Sequence, residues 1–132
     1  MVSPSGSDTT VSPGTRLNSF FSCPLPRAAS TACFSPAFKI DNYDFVDNVR
    51  SYKGMIKKFK VYIHNGDNEL DSSLQPGVDE MLEVLKQQGY TEGINFYFHK
   101  GKNSLHSEGD WAKNIWRALI YMFGTERGRS LL

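Results

Sequence analysis

From Ala28 onward the chain switches between two hydrophobic rhythms. Short continuous apolar runs of strand length alternate with longer stretches in which apolar residues recur three and four apart. Ala29–Phe34 is a run of small and apolar residues, stopped by Ser35-Pro36, and reads as a buried strand. Asn42–Tyr52 sets Phe45, Val46 and Val49 at helical spacing, so a short helix is expected there. Phe59–His64 is β-branched and aromatic, the composition of a second strand. A polar loop, Gly66–Ser72, follows. Ser72 or Ser73 is the expected cap of the next helix, with Pro76 in its first turn. Leu74, Val78, Met81, Leu82 and Leu85 line one face of that helix, and Gly89 is placed to end it. Ile94–His99 reads as the third strand and Lys100–Ser107 as a loop. Asp110 is a candidate cap for a last helix with Trp111, Ile115, Leu119 and Phe123 as its inner face and Gly124 as its stop.

Strands that begin about every 30–35 residues with helices between them have the period of βαβ units. The expected fold class is therefore α/β, about three parallel strands with flanking helices. Residues 1–27 carry Pro4, Pro13, Pro24 and Pro26 with Gly6 and Gly14 and show no sustained periodicity. They read as a mostly irregular N-terminal tail, with a short ordered piece at Leu17–Phe21 as an alternative. Their Ser, Thr and Pro content, with Arg16 and Arg27 against Asp8, is loosely like an organelle transit peptide; a plain tail or a truncation product is the other reading. Residues 28–124 form the folded unit in this reading, and 125–132 a C-terminal tail.

Composition narrows the function classes. A formal net charge of +1 over 132 residues argues against general nucleic-acid binding and against a polybasic membrane surface. No apolar stretch approaches the roughly 20 residues of a membrane span. Cys23 and Cys33 are read as free thiols, Cys33 buried and inert, and neither stands in a His/Cys cluster of the kind that binds zinc. Asp67, Glu69 and Asp71 alternate as in a calcium loop but lack the remaining ligands, so no metal or cofactor is expected. Nothing in the residues assigns a compartment; cytoplasmic is the default.

The candidate chemistry lies in an acid and a histidine at the ends of successive strands. Glu69 stands in Gly66-Asp67-Asn68-Glu69, and His106 opens His106-Ser107-Glu108-Gly109-Asp110-Trp111. In an open parallel sheet the loops at the carboxyl ends of the strands share one edge, and ligands bind there. The topology sets the two side chains roughly 5–10 Å apart. A carboxylate at hydrogen-bond range of an imidazole fixes its tautomer and stabilises the imidazolium formed on proton transfer. Asp67 is the alternative acid. Glu108 reads as a helix-dipole charge, His64 and His99 as structural or solvent-facing, and Trp111 and Trp116 as packing residues.

Four segments carry a family resemblance. Ala32-Cys33-Phe34-Ser35-Pro36 resembles a strand end of Ser-Pro type, and Val61–Glu69 a hydrophobic strand followed by Gly-x-x-Glu/Asp. Leu82…Leu85…Gly89-Tyr90 is similar to a helix end, and His106–Trp111 to a His-x-Glu-x-x-Trp segment. In this order they resemble the C-terminal part of the esterase branch of α/β-hydrolases that includes enterobactin esterase-like proteins, feruloyl esterases and S-formylglutathione hydrolase. The likeness spans about Ala28 to Phe123. It implies a partial α/β-hydrolase fold, Glu69 as triad acid, His106 as base, and a carboxylic ester as the small-molecule substrate. The family's Gly-x-Ser-x-Gly nucleophile elbow does not occur. Ser19 and Ser22 lie in the corresponding region without glycine flanks. Loss of a triad member removes many powers of ten in rate. The expectation is thus a truncated or inactive esterase-like protein, or one whose nucleophile half comes from a second chain. The alternative is a small noncatalytic α/β binding or interaction module, with self-association through an exposed sheet edge as one of its modes.

Overall fold

A computed structural model describes residues 30–53 and 59–132. Expectations for residues 1–27, including Leu17–Phe21, Ser19, Ser22 and Cys23, lie outside the described residues. Three strands, β1 (Ser30–Phe34), β4 (Lys60–Asn65) and β5 (Phe96–Lys100), form a sheet in the order β1-β4-β5. Both pairings are parallel, with Cys33 opposite Ile63 and Ile63 opposite Phe98. Between β1 and β4 lie a small antiparallel hairpin, β2 (Lys39–Ile40) and β3 (Tyr43–Asp44), and helix α1 (Phe45–Ser51). Helix α2 (Glu69–Gln87) connects β4 to β5, and α3 (Glu108–Phe123) and α4 (Glu126–Arg129) follow β5.

The sheet is covered on both faces. Val61 and Ile63 of β4 pack with Val46, Val49, Val78, Met81, Val84 and Leu85 beneath α1 and α2. Tyr62 packs on the other face with Ala118 and Tyr121 of α3. A strand buried on both faces reads as a continuous run rather than an alternation, which is why Val61, Tyr62 and Ile63 follow one another without a polar break. The end of α2 is a Schellman motif. Gly89 takes φ +88, its N–H donates to the Lys86 carbonyl, and the Tyr90 N–H donates to the Leu85 carbonyl.

Several expected boundaries move, each for a local reason. The helix expected over 42–52 starts only at Phe45, because 39–44 pair as the hairpin and Asp44 caps the helix by accepting the Asp47 N–H at 2.9 Å. The third strand starts at Phe96 rather than Ile94, because the N–H groups of Ile94 and Asn95 turn back onto the Thr91 carbonyl. Helix α2 begins at Glu69, with Pro76 inside it, instead of at Ser72 or Ser73. The last helix is capped by Ser107, not Asp110. Residues 125–132 are not a tail: α4 folds back, the Leu132 carbonyl accepts from the Tyr97 hydroxyl at 3.0 Å, and Leu132 packs on the Tyr62 cluster.

The largest difference is the face of α3. Of the expected inner stripe, Ile115, Leu119 and Phe123 are 50 %, 49 % and 74 % exposed. The helix instead meets the sheet through Ala118 and Tyr121. Together with the partly buried Trp111 and Asn114, these recur at i, i+3, i+7 and i+10, a true 3.6-residue face. A small alanine and an asparagine disguise that face in the sequence. The strict four-residue stripe is more apolar but drifts around the helix.

Candidate acid–histidine site

The three parallel strands each deliver one polar residue to the same edge: Ser35 directly after β1, Asp71 in the first turn of α2 after β4, and His106 in the loop after β5. They form a connected network. His106 Nδ1 lies 2.7 Å from Asp71 Oδ1. Asp71 Oδ2 accepts the Gly66 N–H at 2.8 Å and the Ser35 hydroxyl at 2.8 Å. Trp111 Nε1–H donates to Ser35 Oγ at 2.9 Å. An indole can only donate, so the serine oxygen accepts there and its own proton goes to Asp71. Asp71 is wholly buried and its carboxyl accepts from three groups, which is what allows a carboxylate to sit inside the fold.

The geometry orients the imidazole. With Asp71 accepting, the proton resides on Nδ1 and the Nε2 lone pair is free. Trp111 presses on the ring edge-on, with centroids 5.2 Å apart at 76°. His106 thus has its plane set by two partners while about 30 % of its side chain remains exposed. Gly66 has no alternative here: a β-carbon would collide with Asp71 Oδ2 and the Ser104 carbonyl. Asn65, also buried, holds the start of α2 through its Nδ2, which donates to the Asp71 carbonyl at 2.9 Å and to Gln75 Oε1 at 2.8 Å.

The expected pairing of Glu69 with His106 is therefore corrected: His106 meets Asp71. Glu69 is exposed at the head of α2 with φ +47, and Asp67 accepts the Ser104 N–H at 3.3 Å, joining the two loops instead of touching the imidazole. Asp71 was legible in one respect. It lies three residues before Leu74 on the same helix face as Val78 and Met81, so extending the apolar stripe by one turn points it inward. Glu69 is off that face. The role of Ser35 as relay between Trp111 and Asp71 had no signal beyond the Ser-Pro strand end. Ser35 is 5 % exposed, with its proton committed to Asp71.

Cys33 is partly buried, and burial raises the pKa of its thiol. Among the described residues no three His, Cys, Asp or Glu side chains group as a metal site, and no helix is long and apolar enough to cross a membrane. The chain matches no family model, no curated protein and no solved structure.

Proposed function

We propose that this chain carries the acid–base half of a carboxylic-ester hydrolase, with Asp71 as the orienting acid and His106 as the base. One observation carries the reading: the 2.7 Å contact between His106 Nδ1 and the wholly buried Asp71 carboxyl, at the carboxyl-end edge of a parallel sheet. In this arrangement Nε2 takes a proton from an attacking hydroxyl, and Asp71 stabilises the imidazolium that results. The hydroxyl is not Ser35, whose Oγ bonds to the acid rather than the base. No Gly-x-Ser-x-Gly elbow occurs in the sequence. The chain alone is accordingly an inactive esterase-like protein.

Three reactions test this. Diethyl pyrocarbonate should acylate His106, whose side chain is about 30 % exposed, well before the enclosed His64. A fluorophosphonate probe should label no serine, and short acyl esters should hydrolyse at background rate. An unreactive His106 would remove the base from the proposal. A labelled serine, with labelling lost in His106→Ala, would show a complete triad and overturn the inactive reading.

A second reading, a noncatalytic interaction module, is favoured by the exposed face of α3. Ile115, Trp116, Leu119 and Phe123 are all at least 40 % exposed and lie together on one side of the helix. The outer edge of β1 has no strand partner among the described residues. The expected result is concentration-dependent self-association of the purified chain by analytical ultracentrifugation, reduced in Leu119→Lys. A monomer at all concentrations would remove this reading and leave the first untouched.

A further inference from the structure

Beside the His106 loop, a cavity of about 400 Å³ opens between the end of β5, residues 101–104 and the first half of α3. Four basic side chains line it, Lys100, Lys102, Lys113 and Arg117, against a single acidic one, Asp110. We propose that this cavity binds a small hydrophilic molecule carrying two or more negative charges. The site shares no residue with the Asp71–His106 pair and does not depend on the esterase reading.

Charge is the first argument. The whole chain has a formal net charge of +1, yet this one cavity gathers four cations and one anion, a formal +3. Asp110 is already committed: Oδ1 accepts from Lys113 Nζ at 2.6 Å and Oδ2 from the Leu105 N–H at 2.7 Å. Lys100 reaches only the neutral Gln75 amide. Arg117 lies over the Trp116 ring at 4.4 Å, without a carboxylate partner among the described residues. Cations left unneutralised around a concave surface focus a positive potential that draws in and retains anions.

Unused donors are the second argument. Ser104, 5 % exposed, lines the cavity, and its Oγ has no hydrogen-bond partner; Arg117 Nε is likewise buried without one. Buried donors are nearly always satisfied, so two orphans on residues that line one cationic cavity leave both side chains without a protein partner at those atoms, each just behind the cavity surface. A guanidinium offers paired N–H groups that match the oxygens of a phosphate or carboxylate. Gly101 lets this loop close onto the interior, since a β-carbon there would stand 2.7 Å from His64 Cε1 and 2.8 Å from Ser104 Cβ.

Size and lining select the ligand class. A volume of about 400 Å³ is in the range of small-molecule sites and exceeds a bare oxyanion. Apart from Gly101, the lining residues are polar or charged, with no aliphatic or phenyl residue among them, so the body of the ligand is mainly hydrophilic. A sugar phosphate and a polycarboxylate share this chemistry.

The test is a titration of the ¹⁵N-labelled full chain, followed by amide shifts, with glucose 6-phosphate, citrate, inorganic phosphate and glucose. Glucose 6-phosphate or citrate should give saturable shifts confined to residues 99–104 and 110–117, and the tighter of the two identifies the source. Glucose should give none. Arg117→Gln and Lys102→Gln should each weaken binding about tenfold through loss of a charged contact. Lys86→Gln, on the far end of α2, should not. Lys102 is an exposed loop residue, so its variant reports on binding even if the Arg117 variant folds poorly. No saturable response to any of the anions at about 10 mM, beyond the weak end of specific affinity, would overturn the proposal. An affinity unchanged in Lys102→Gln, or shifts that spread equally to Lys86, would do the same.

Discussion

Replacing Asp71 by alanine is expected to be the most damaging polar substitution in the described chain, costing about 3–5 kcal/mol of folding stability. The residue is wholly buried, and three donors converge on its carboxyl: His106 Nδ1, the Gly66 N–H and the Ser35 hydroxyl. Removal strands all of them, and Ser35 and Gly66 are too deeply enclosed for water to take over. A domain of this size has total stability of roughly 5–15 kcal/mol, so the loss is a large share of it. Asp71→Asn keeps the volume but puts an amide N–H₂ where an acceptor is needed, so it should retain only part of the stability. Glu69→Gln, on an exposed side chain, should stay within about 0.5 kcal/mol of the parent. Urea denaturation of the three variants checks the order. An Asp71→Ala variant as stable as Glu69→Gln would mean that the network is not formed in solution.

The second large effect is a fall in stability on mild acidification, traced to His64. Its ring is wholly enclosed, stacked on His99 with centroids 5.2 Å apart, and neither ring nitrogen has a hydrogen-bond partner. Burial, and next the neighbouring His99, lower its pKa from 6.5 to about 4. The sign follows from linkage. Between about pH 4 and 6.5 the unfolded chain binds a proton at this position that the folded chain does not, so stability rises with pH across that window. It is full above pH 6.5 and lost progressively toward pH 4, by on the order of 2–3 kcal/mol at pH 4. His99, also lowered by burial and then by the Arg117 charge, acts in the same direction. His64→Phe should flatten the dependence between pH 4.5 and 7. An unchanged slope in that variant would place the acid sensitivity elsewhere.

The repeating strand–helix rhythm was legible because strands buried on both faces appear as unbroken apolar runs and α2 carries a clean stripe. β1, β4 and β5 lie adjacent, parallel and in chain order, as that rhythm implies. The boundaries were less legible, since they are decided by hydrogen bonds. Thr91 turns back the residues before β5, and the network around Asp71 fixes α2 a turn earlier than Ser72 and Pro76 suggest. The face of α3 was misread because the helix docks through Ala118 and Tyr121, while the more hydrophobic Ile115, Leu119 and Phe123 are left outside. In the site, His106 was found from its place after the third strand. Its acid was sought in the loop, but the loop ends before Glu69, and the buried face of the helix brings Asp71 inward. An acidic residue on an otherwise apolar stripe was the informative mark. The cationic cavity could not be read at all, because Lys102 and Arg117 are 15 residues apart and meet only when α3 folds back beside β5.

The pairing of Asp71 with His106 is tested most directly by the ¹⁵N and ¹H resonances of the His106 ring at about pH 8, above the ordinary histidine range. The predicted spectrum is that of an Nδ1–H tautomer with unprotonated Nε2 and a strongly deshielded Hδ1. That signal should vanish in Asp71→Asn and persist in Glu69→Gln. An Nε2–H tautomer, or an Hδ1 signal that survives in Asp71→Asn and disappears in Glu69→Gln, would contradict the acid–base pair described here.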